Sequence, residues 1–245
     1  MDVLFLEAPF TGTVDLCAQT IAHFKNHKIR TVGLYASVQF VQRLARVEEQ
    51  LATLGINVVS SRPDRTHAVK QLLGCDNDQN SLGLSEVQKE NIDCYLYIGD
   101  GKFHPLALVY AQRGSEVVKD VLCNDPIAKQ LTLMRVDDIK NMLKKYRGSL
   151  LKFLSAKTVG VLVTIKPGQE QLRPGLMLEK KYPDKKFYFF IDNVVSFDQL
   201  ENFNFIEVWV NTACPRVGFD DQEKFVRGVV NLYDAMNAVE IVGKK

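Results

Sequence analysis

The sequence lacks the features that mark membrane-spanning, secreted and nucleic-acid-coating proteins. No uninterrupted apolar run approaches membrane-spanning length, and no basic segment precedes the apolar residues at the N-terminus. A large excess of one charge is also missing, because 31 Lys and Arg residues face 29 Asp and Glu residues, a formal charge of +2. These absences predict a cytoplasmic protein that contacts neither membrane nor nucleic acid directly. The local cluster Lys180, Lys181, Lys185 and Lys186 is predicted to be a solvated face.

Cysteine is scarce, and no two cysteines have the short Cys-x-x-Cys spacing of zinc ribbons or redox dithiols. The count is odd and the spacing wide, so a disulfide framework is not expected in a chain without a secretion signal. Cys94 and Cys123 fall within or at the end of apolar strand runs, which predicts that both are core residues. Cys17, Cys75 and Cys214 lie elsewhere, and any metal site has to be assembled from distant segments.

The 245 residues, 46% hydrophobic and 24% charged, are typical of a soluble globular protein with one large or two ordinary cores. Predicted strands alternate with predicted helices, which indicates an α/β fold with mainly parallel sheets flanked by helices. The predicted strands are 3–7, 31–37, 56–60, 93–98, 117–122, 158–164, 186–191 and 205–210. The predicted helices are 13–27 with Thr13 as N-cap, 38–54 closing at Gly55, one beginning near His104, and 136–156.

The pattern restarts in the second half, because Thr158-Val159-Gly160 and its apolar continuation echo Thr31-Val32-Gly33. We therefore predict an internal repeat with two similar domains, 1–140 and 141–245. Each would carry one loop cysteine beyond equivalent strands, Cys75 and Cys214. Since open α/β sheets bind ligands outside the carboxyl ends of their strands, we expect both thiols to face one interdomain crevice.

The segment after the predicted strand 205–210 has the composition of a site. Asn211 and Arg216 are polar groups that a buried strand would not leave unpaired, and Pro215 ends the strand because it has no backbone donor. Taken alone, a strand-end cysteine such as Cys214 is more often a small core residue than a metal ligand.

Two glycine-containing turns, 99–101 and 167–168, would let backbone amides approach a carboxylate closely. Lys166 and Arg216 carry the charge that could pair with that carboxylate. The same residues are also typical of ordinary strand-end turns and solvent-facing cations, and His104 is equally suited to a helix start. The residues by themselves leave both interpretations open.

Taken together, these segments resemble the diphthamide biosynthesis enzymes of archaea and eukaryotes. The motifs that carry the resemblance recur in order across nearly the whole chain: Leu73-Gly74-Cys75, Tyr97-Ile98-Gly99-Asp100-Gly101-Lys102-Phe103-His104-Pro105-Leu106, Lys166-Pro167-Gly168-Gln169 and Val210-Asn211-Thr212-Ala213-Cys214-Pro215-Arg216. Each motif alone is weak, and the set is specific.

The resemblance implies a noncanonical radical enzyme that binds S-adenosylmethionine at a 4Fe-4S cluster. Such enzymes transfer a 3-amino-3-carboxypropyl group to a histidine of translation elongation factor 2, the first step of diphthamide synthesis. Cys75 and Cys214 would be cluster ligands. The residues implied in binding S-adenosylmethionine are Gly99, Gly101, His104, Lys166, Gly168, Gln169, Asn211 and Arg216.

The chain departs from the family in one respect. Members usually have three α/β domains, each giving one cluster cysteine, and this chain starts where the second domain would start, so we expect the first to be absent. Three thiolates leave one iron of a cubane open for S-adenosylmethionine, whereas the motifs supply only two. The third ligand would be Cys17 or a cysteine of another chain, unless no complete cluster is bound.

Three functions follow from these alternatives. The first is the transferase itself, acting as a homodimer or with a homologous chain on elongation factor 2. The second is an auxiliary subunit, noncatalytic, that completes or supports a partner's cluster. The third is a metal-free α/β protein that binds a nucleotide-like ligand.

Overall fold

A computed structural model describes residues 8–78, 80–113, 115, 117–166 and 169–243. The chain divides into two compact units, Met1–Asp138 (unit 1) and Ile139–Lys245 (unit 2). The α-helices are α1 Ala18–His27, α2 Ala45–Thr53, α3 Glu86–Asn91, α4 Pro105–Ala111, α5 Val136–Ser155, α6 Leu172–Lys181, α7 Phe197–Leu200, α8 Pro215–Asp220, α9 Leu232–Met236 and α10 Ala238–Gly243. The strands are β1 Thr31–Ala36, β2 Asn57–Val59, β3 Cys94–Ile98, β4 Val121–Asp125, β5 Gln130–Met134, β6 Thr158–Thr164, β7 Lys186–Asp192, β8 Val208–Asn211 and β9 Val229–Asn231.

Unit 1 contains a sheet of order β2-β1-β3-β4-β5, in which all neighbours are parallel except β4 and β5. β1 and β3 are almost entirely buried, which is why their sequences read as continuous apolar runs rather than as alternating ones. The core around them includes the fully buried Leu34, Val47 and Leu96.

Unit 2 contains a fully parallel sheet of order β7-β6-β8-β9. Its core packs Leu162 and Ile206 around Trp209, the single tryptophan of the chain. Both units thus repeat helix–strand pairs in the same order, with an inner strand, β1 or β6, between the second and third strands of the repeat. The predicted fold class, α/β with two mainly parallel sheets flanked by helices and an internal repeat, is confirmed.

Several predicted boundaries differ from the structure. The first helix begins at Ala18 rather than Thr13, because the backbone before it is bound by the side chain of Asn124 instead of continuing the helix. Residues 117–120 are not part of β4, whose pairing with β3 begins at Val121. Strands β5 and β9 were not predicted, and the predicted strand 3–7 lies outside the described residues.

The interior of the two units tests three residue predictions. Cys94 and Cys123 are buried, as predicted for core residues. The prediction that Lys185 lies on a solvated face is wrong, because its side chain is buried and its ammonium group donates to two backbone carbonyls. No helix within the described ranges is long and apolar enough to cross a membrane.

Candidate functional site

The Cys75 loop of unit 1 is attached to the carboxyl end of β1. The Ala36 amide donates to the Lys70 carbonyl at 2.8 Å, and the Leu72 amide donates to the Ala36 carbonyl at 2.9 Å. This short parallel bridge pairs Ala36, at the end of β1, with Gln71 in the loop that follows β2. Cys75, three residues further on, is therefore held near the edge of the sheet where parallel α/β folds bind ligands.

Asp76 closes the turn that carries Cys75. Its amide donates to the Leu73 carbonyl at 3.0 Å, and its Oδ2 accepts from the Leu73 amide at 2.8 Å. The other oxygen, Oδ1, is buried and has no hydrogen-bond partner among the described residues. Burial raises the pKa of Asp76 to about 6, and the hydrogen bond from the Leu73 amide opposes that rise. Cys75 itself is half-buried.

The glycine turn after β3 is held from within the sheet. Cys123 points its thiol at the carbonyls of Gly99 and Gly101, at 3.5 and 3.6 Å. Gly101 has φ +65, a left-handed conformation that suits glycine. The predicted core residue Cys123 therefore also fixes the turn from which Gly99 and Gly101 are predicted to meet a carboxylate.

His104 links this turn to the Cys75 loop through aromatic contacts. It is the N-cap residue of α4, and its ring lies 6.4 Å from that of Tyr97 and 5.3 Å from that of Phe103. Phe103 covers Gly74, where any Cβ atom would overlap its ring. The loops that carry the predicted residues of unit 1 thus meet beyond the carboxyl ends of β1 and β3.

In unit 2, Asn211 holds the turn that carries Cys214. Its Nδ2 donates to the Cys214 carbonyl at 2.9 Å, and its Oδ1 accepts from the Ala213 amide at 3.1 Å. The next residue, Thr212, donates to the Leu162 carbonyl of β6 through both its amide and its hydroxyl group. Cys214 then serves as the N-cap residue of α8 and is half-buried.

The other predicted residues of unit 2 differ in their surroundings. Arg216 is buried, with its guanidinium 2.7 Å from the carboxylate of Asp220 one helical turn later. Lys166 is exposed after β6, and its carbonyl accepts from the Gln169 amide at 3.0 Å. Gly168 lies outside the described residues.

The prediction that Cys75 and Cys214 occupy equivalent positions of the repeat is wrong. Cys214 precedes a proline at the start of α8, after β8, whereas Cys75 lies in the connection between β2 and α3. In unit 1 the place of Cys214 is taken by His104, which precedes Pro105 at the start of α4. The repeat therefore cannot be used to pair the two thiols.

The described residues contain no group of three or more His, Cys, Asp or Glu side chains that could hold a metal ion. Cys17 is buried as the N-cap residue of α1, and its sulfur lies 3.1 Å from the Thr20 hydroxyl. The soft thiols of Cys75 and Cys214 match an iron–sulfur cluster in kind.

Sequence reasoning missed Asn231, Tyr146 and Asp234, which are buried in unit 2 and connect to Asn211. One signal was present, because Asn231 ends an apolar run as Asn124 and Asn211 do. Buried asparagines at strand ends need partners, and here those partners are the turns that carry cysteines.

Comparisons with known proteins agree with these motifs. The family model described as "Putative diphthamide synthesis protein" matches residues 1–245. The 2-(3-amino-3-carboxypropyl)histidine synthase of Pyrococcus horikoshii is 33% identical over 195 residues, which are 78% of this chain and 52% of that protein. The protein of the same name from Methanocaldococcus jannaschii is 30% identical over 157 residues, 62% of this chain and 44% of that protein. The chain spans about half the length of these curated relatives.

Among solved structures, Dph2 from Pyrococcus horikoshii with a 4Fe-4S cluster superposes with a TM-score of 0.72 at 26% identity. The superposition covers 93% of this chain and 62% of that chain.

Proposed function

Since this chain belongs to the diphthamide synthesis family, we propose that it takes part in transferring the 3-amino-3-carboxypropyl group of S-adenosylmethionine to a histidine of translation elongation factor 2. The observation that carries the proposal is the state of its cysteines. Cys75 and Cys214 are half-buried in turns fixed by hydrogen bonds at strand-connected loops, whereas the other three cysteines are buried. Only these two combine a motif position with access for a metal.

Cys75 and Cys214 would be thiolate ligands of a 4Fe-4S cluster, and a third ligand would come from a second chain, a further copy or a homologue. Cys17 is a poorer candidate, because it is buried and its sulfur lies 3.1 Å from the Thr20 hydroxyl. When bound, the cluster would supply the electron that cleaves the bond between sulfur and the 3-amino-3-carboxypropyl carbon.

The protein's own groups would bind and orient S-adenosylmethionine. In the turn 99–101, Gly99 and Gly101 would let the carboxylate approach the backbone closely, and the Gly99 amide itself donates to the Asn124 carbonyl at 3.2 Å. Lys166 has an exposed ammonium group near the end of β6. Arg216 is already paired with Asp220, so we propose that it acts as part of that pair. His104, Gly168, Gln169 and Asn211 complete the proposed binding residues.

A second candidate function follows from the number of cysteines in the family motifs. Because these motifs contain two, Cys75 and Cys214, the chain would serve as the subunit that completes or supports a cluster shared with a homologous chain. Both candidates place the protein in the cytoplasm with elongation factor 2, and they differ in whether this chain turns over alone.

The experiment is anaerobic reconstitution with iron and sulfide, followed by incubation with S-adenosylmethionine, dithionite and elongation factor 2. We expect Cys75→Ser and Cys214→Ser each to lose cluster absorbance, bound iron and methylthioadenosine formation. Cys94→Ser is the matched control, because Cys94 is buried in β3, and Cys17→Ser is expected to spare activity.

Formation of 5'-deoxyadenosine instead of methylthioadenosine would contradict the proposed bond cleavage. Turnover that requires an added homologous chain would favour the supporting subunit. Unchanged iron content in both Cys75→Ser and Cys214→Ser would exclude them as ligands.

A further inference from the structure

We infer that Asn231 is a positioning residue for Cys214, acting through a buried hydrogen-bond chain that joins Asp234, Tyr146, Asn231 and Asn211 to the cysteine turn. The expected effect on cluster binding rests on the proposed function. The expected effect on the accessibility of the Cys214 thiol does not. Each of the four side chains is buried, so the hydrogen bonds among these four residues do not compete with water.

Within this hydrogen-bond chain, Asn211 is the residue nearest the Cys214 thiol. Its amide nitrogen has two hydrogens, and both are used, one on the Cys214 carbonyl at 2.9 Å and one on Asn231 Oδ1 at 2.8 Å. Its oxygen accepts from the Ala213 amide at 3.1 Å. With these bonds made inside the protein, Asn211 fixes the turn on both sides of Cys214, which is a positioning role.

Asn231 sits at the centre and contacts the turn twice. It accepts from Asn211, and its own Nδ2 donates to the Pro215 carbonyl at 2.9 Å, so it binds the residues before and after the thiol. Gly218 on α8 makes this approach possible, because a Cβ atom there would overlap the Asn231 side chain. The close fit indicates that α8 and Asn231 are held in one fixed arrangement.

Tyr146 and Asp234 hold Asn231 from behind. The backbone amide of Asn231 donates to the Tyr146 hydroxyl at 2.8 Å, and that hydroxyl donates to Asp234 Oδ2 at 2.5 Å. Tyr146 belongs to α5 and Asp234 to α9, so the hydrogen-bond chain attaches the Cys214 turn to two helices of unit 2. A carboxylate acceptor strengthens the bond and fixes the direction of the hydroxyl proton.

A fixed turn matters for a metal ligand, because the thiolate must hold one distance and direction for a cluster to stay bound. Loss of Asn231 would leave buried donors and acceptors of Asn211 and Pro215 without their partner. The turn would then move to reach other partners or water, and the Cys214 thiol would be more accessible.

The test compares Asn231→Leu with Asn124→Leu in the full chain without metal. Asn124 is a buried asparagine at the end of β4 that holds the backbone of Asp15 and Cys17, so it is the matched change in unit 1. Iodoacetamide labelling is followed by mass spectrometry at each cysteine. We expect Asn231→Leu to raise the Cys214 rate roughly fivefold or more relative to Cys75, and Asn124→Leu to leave the Cys214 rate unchanged.

Tyr146→Phe provides a second, milder variant if Asn231→Leu fails to fold. Its control is Tyr182→Phe, which also removes one buried hydroxyl group of unit 2. That hydroxyl donates to the Ala235 carbonyl at 2.8 Å and does not belong to the hydrogen-bond chain behind Cys214. We expect only Tyr146→Phe to raise labelling at Cys214. In reconstituted protein, the same variants should release iron to a chelator faster than their controls.

Equal labelling changes at Cys75 and Cys214, or none at Cys214 in either variant, would overturn the inference. A Cys214-specific rise in protein that binds no iron would support the inference and contradict the proposed cluster instead.

Discussion

Units 1 and 2 are built on the same repeat but carry their cysteines at different places. In both, the inner strand contains a glycine that lies under an aromatic ring of the neighbouring strand, Gly33 opposite Tyr95 and Gly160 opposite Trp209. The turn after the third strand then leads to a short helix with proline near its start in both units. What repeats is the packing of the sheet and the geometry of its ends.

What does not repeat is the residue placed on that geometry. Cys214 occupies the N-cap position that His104 occupies in unit 1, and Cys75 lies in a long loop after β2 for which unit 2 has a shorter connection through α7. The comparison teaches that the sheet fixes where a ligand group can stand, while the loops decide which chemical group stands there.

The largest expected effect on stability concerns the helix that precedes the inner strand. In unit 1, α1 ends at Lys28 in a left-handed conformation, whereas in unit 2 the buried ammonium of Lys185 donates to the Leu154 and Ala156 carbonyls at 2.8 and 2.7 Å. Burial lowers the pKa of Lys185, and the nearby Asp184 carboxylate opposes that shift. We expect Lys185→Met to lower the unfolding free energy of unit 2 by about 2–4 kcal/mol, since hydrogen bonds to a charged group are lost.

Urea unfolding followed by the fluorescence of Trp209, the single tryptophan, measures unit 2 directly. The control is Lys186→Met, whose side chain is exposed beside it, with an expected change within about 0.5 kcal/mol. Equal losses in the two variants would show that Lys185 is no more than a solvated lysine.

A smaller effect is expected from the glycines that the two units share. A Cβ atom at Gly33 would lie 2.6 Å from Tyr95 Cδ1, and one at Gly160 would come closer still to the Trp209 ring. We expect Gly33→Ala and Gly160→Ala each to cost about 1–3 kcal/mol through overpacking, with the larger loss at Gly160.

Thermal unfolding followed by circular dichroism compares these variants with Gly148→Ala. Gly148 is exposed in the middle of α5 with open space around it, so alanine there should stabilise by about 1 kcal/mol through helix propensity. If Gly33→Ala left the stability unchanged and Gly160→Ala lowered it, the contacts of the two glycines with the rings of Tyr95 and Trp209 would not be equivalent.

Sequence patterns identified the parts of this molecule that are local. The runs at β1 and β6 are long and apolar, so their strands were predicted at nearly their observed bounds, and Cys75 was predicted on a loop. Lys185 was misjudged because its burial depends on the end of α5, about thirty residues away in sequence. The antiparallel strand β5 was missed for the same reason, since its place depends on β4 rather than on a period of its own.

The site shows the same division between local and non-local information. The motifs named Cys214 and Asn211, but the network behind them joins residues up to 88 positions apart, such as Tyr146 and Asp234. No spacing in the sequence indicates a contact of this kind.

The last prediction concerns Cys94 and Cys123, two of the three buried thiols of unit 1, whereas the cysteine of unit 2 is half-buried. Burial raises the pKa of Cys94 to about 12, with the nearby Asp93 carboxylate adding to the rise, and it does the same at Cys123 with Asp125. Both thiols therefore stay protonated in the folded protein at pH values where an unfolded cysteine, with a pKa of about 9, has lost its proton.

Because the folded state binds more protons than the unfolded state above about pH 9, unit 1 should lose stability as the pH rises from there towards 12. Cys94→Ala should reduce the slope of stability against pH in that range, apart from its cost in packing at neutral pH. Hydrogen exchange of the two units between pH 8 and 10, with thiol labelling in parallel, measures both effects. Labelling of Cys94 and Cys123 in native protein at the rate of an unfolded cysteine would show that their thiols are not shielded by the sheet of unit 1, and it would remove this difference between the units.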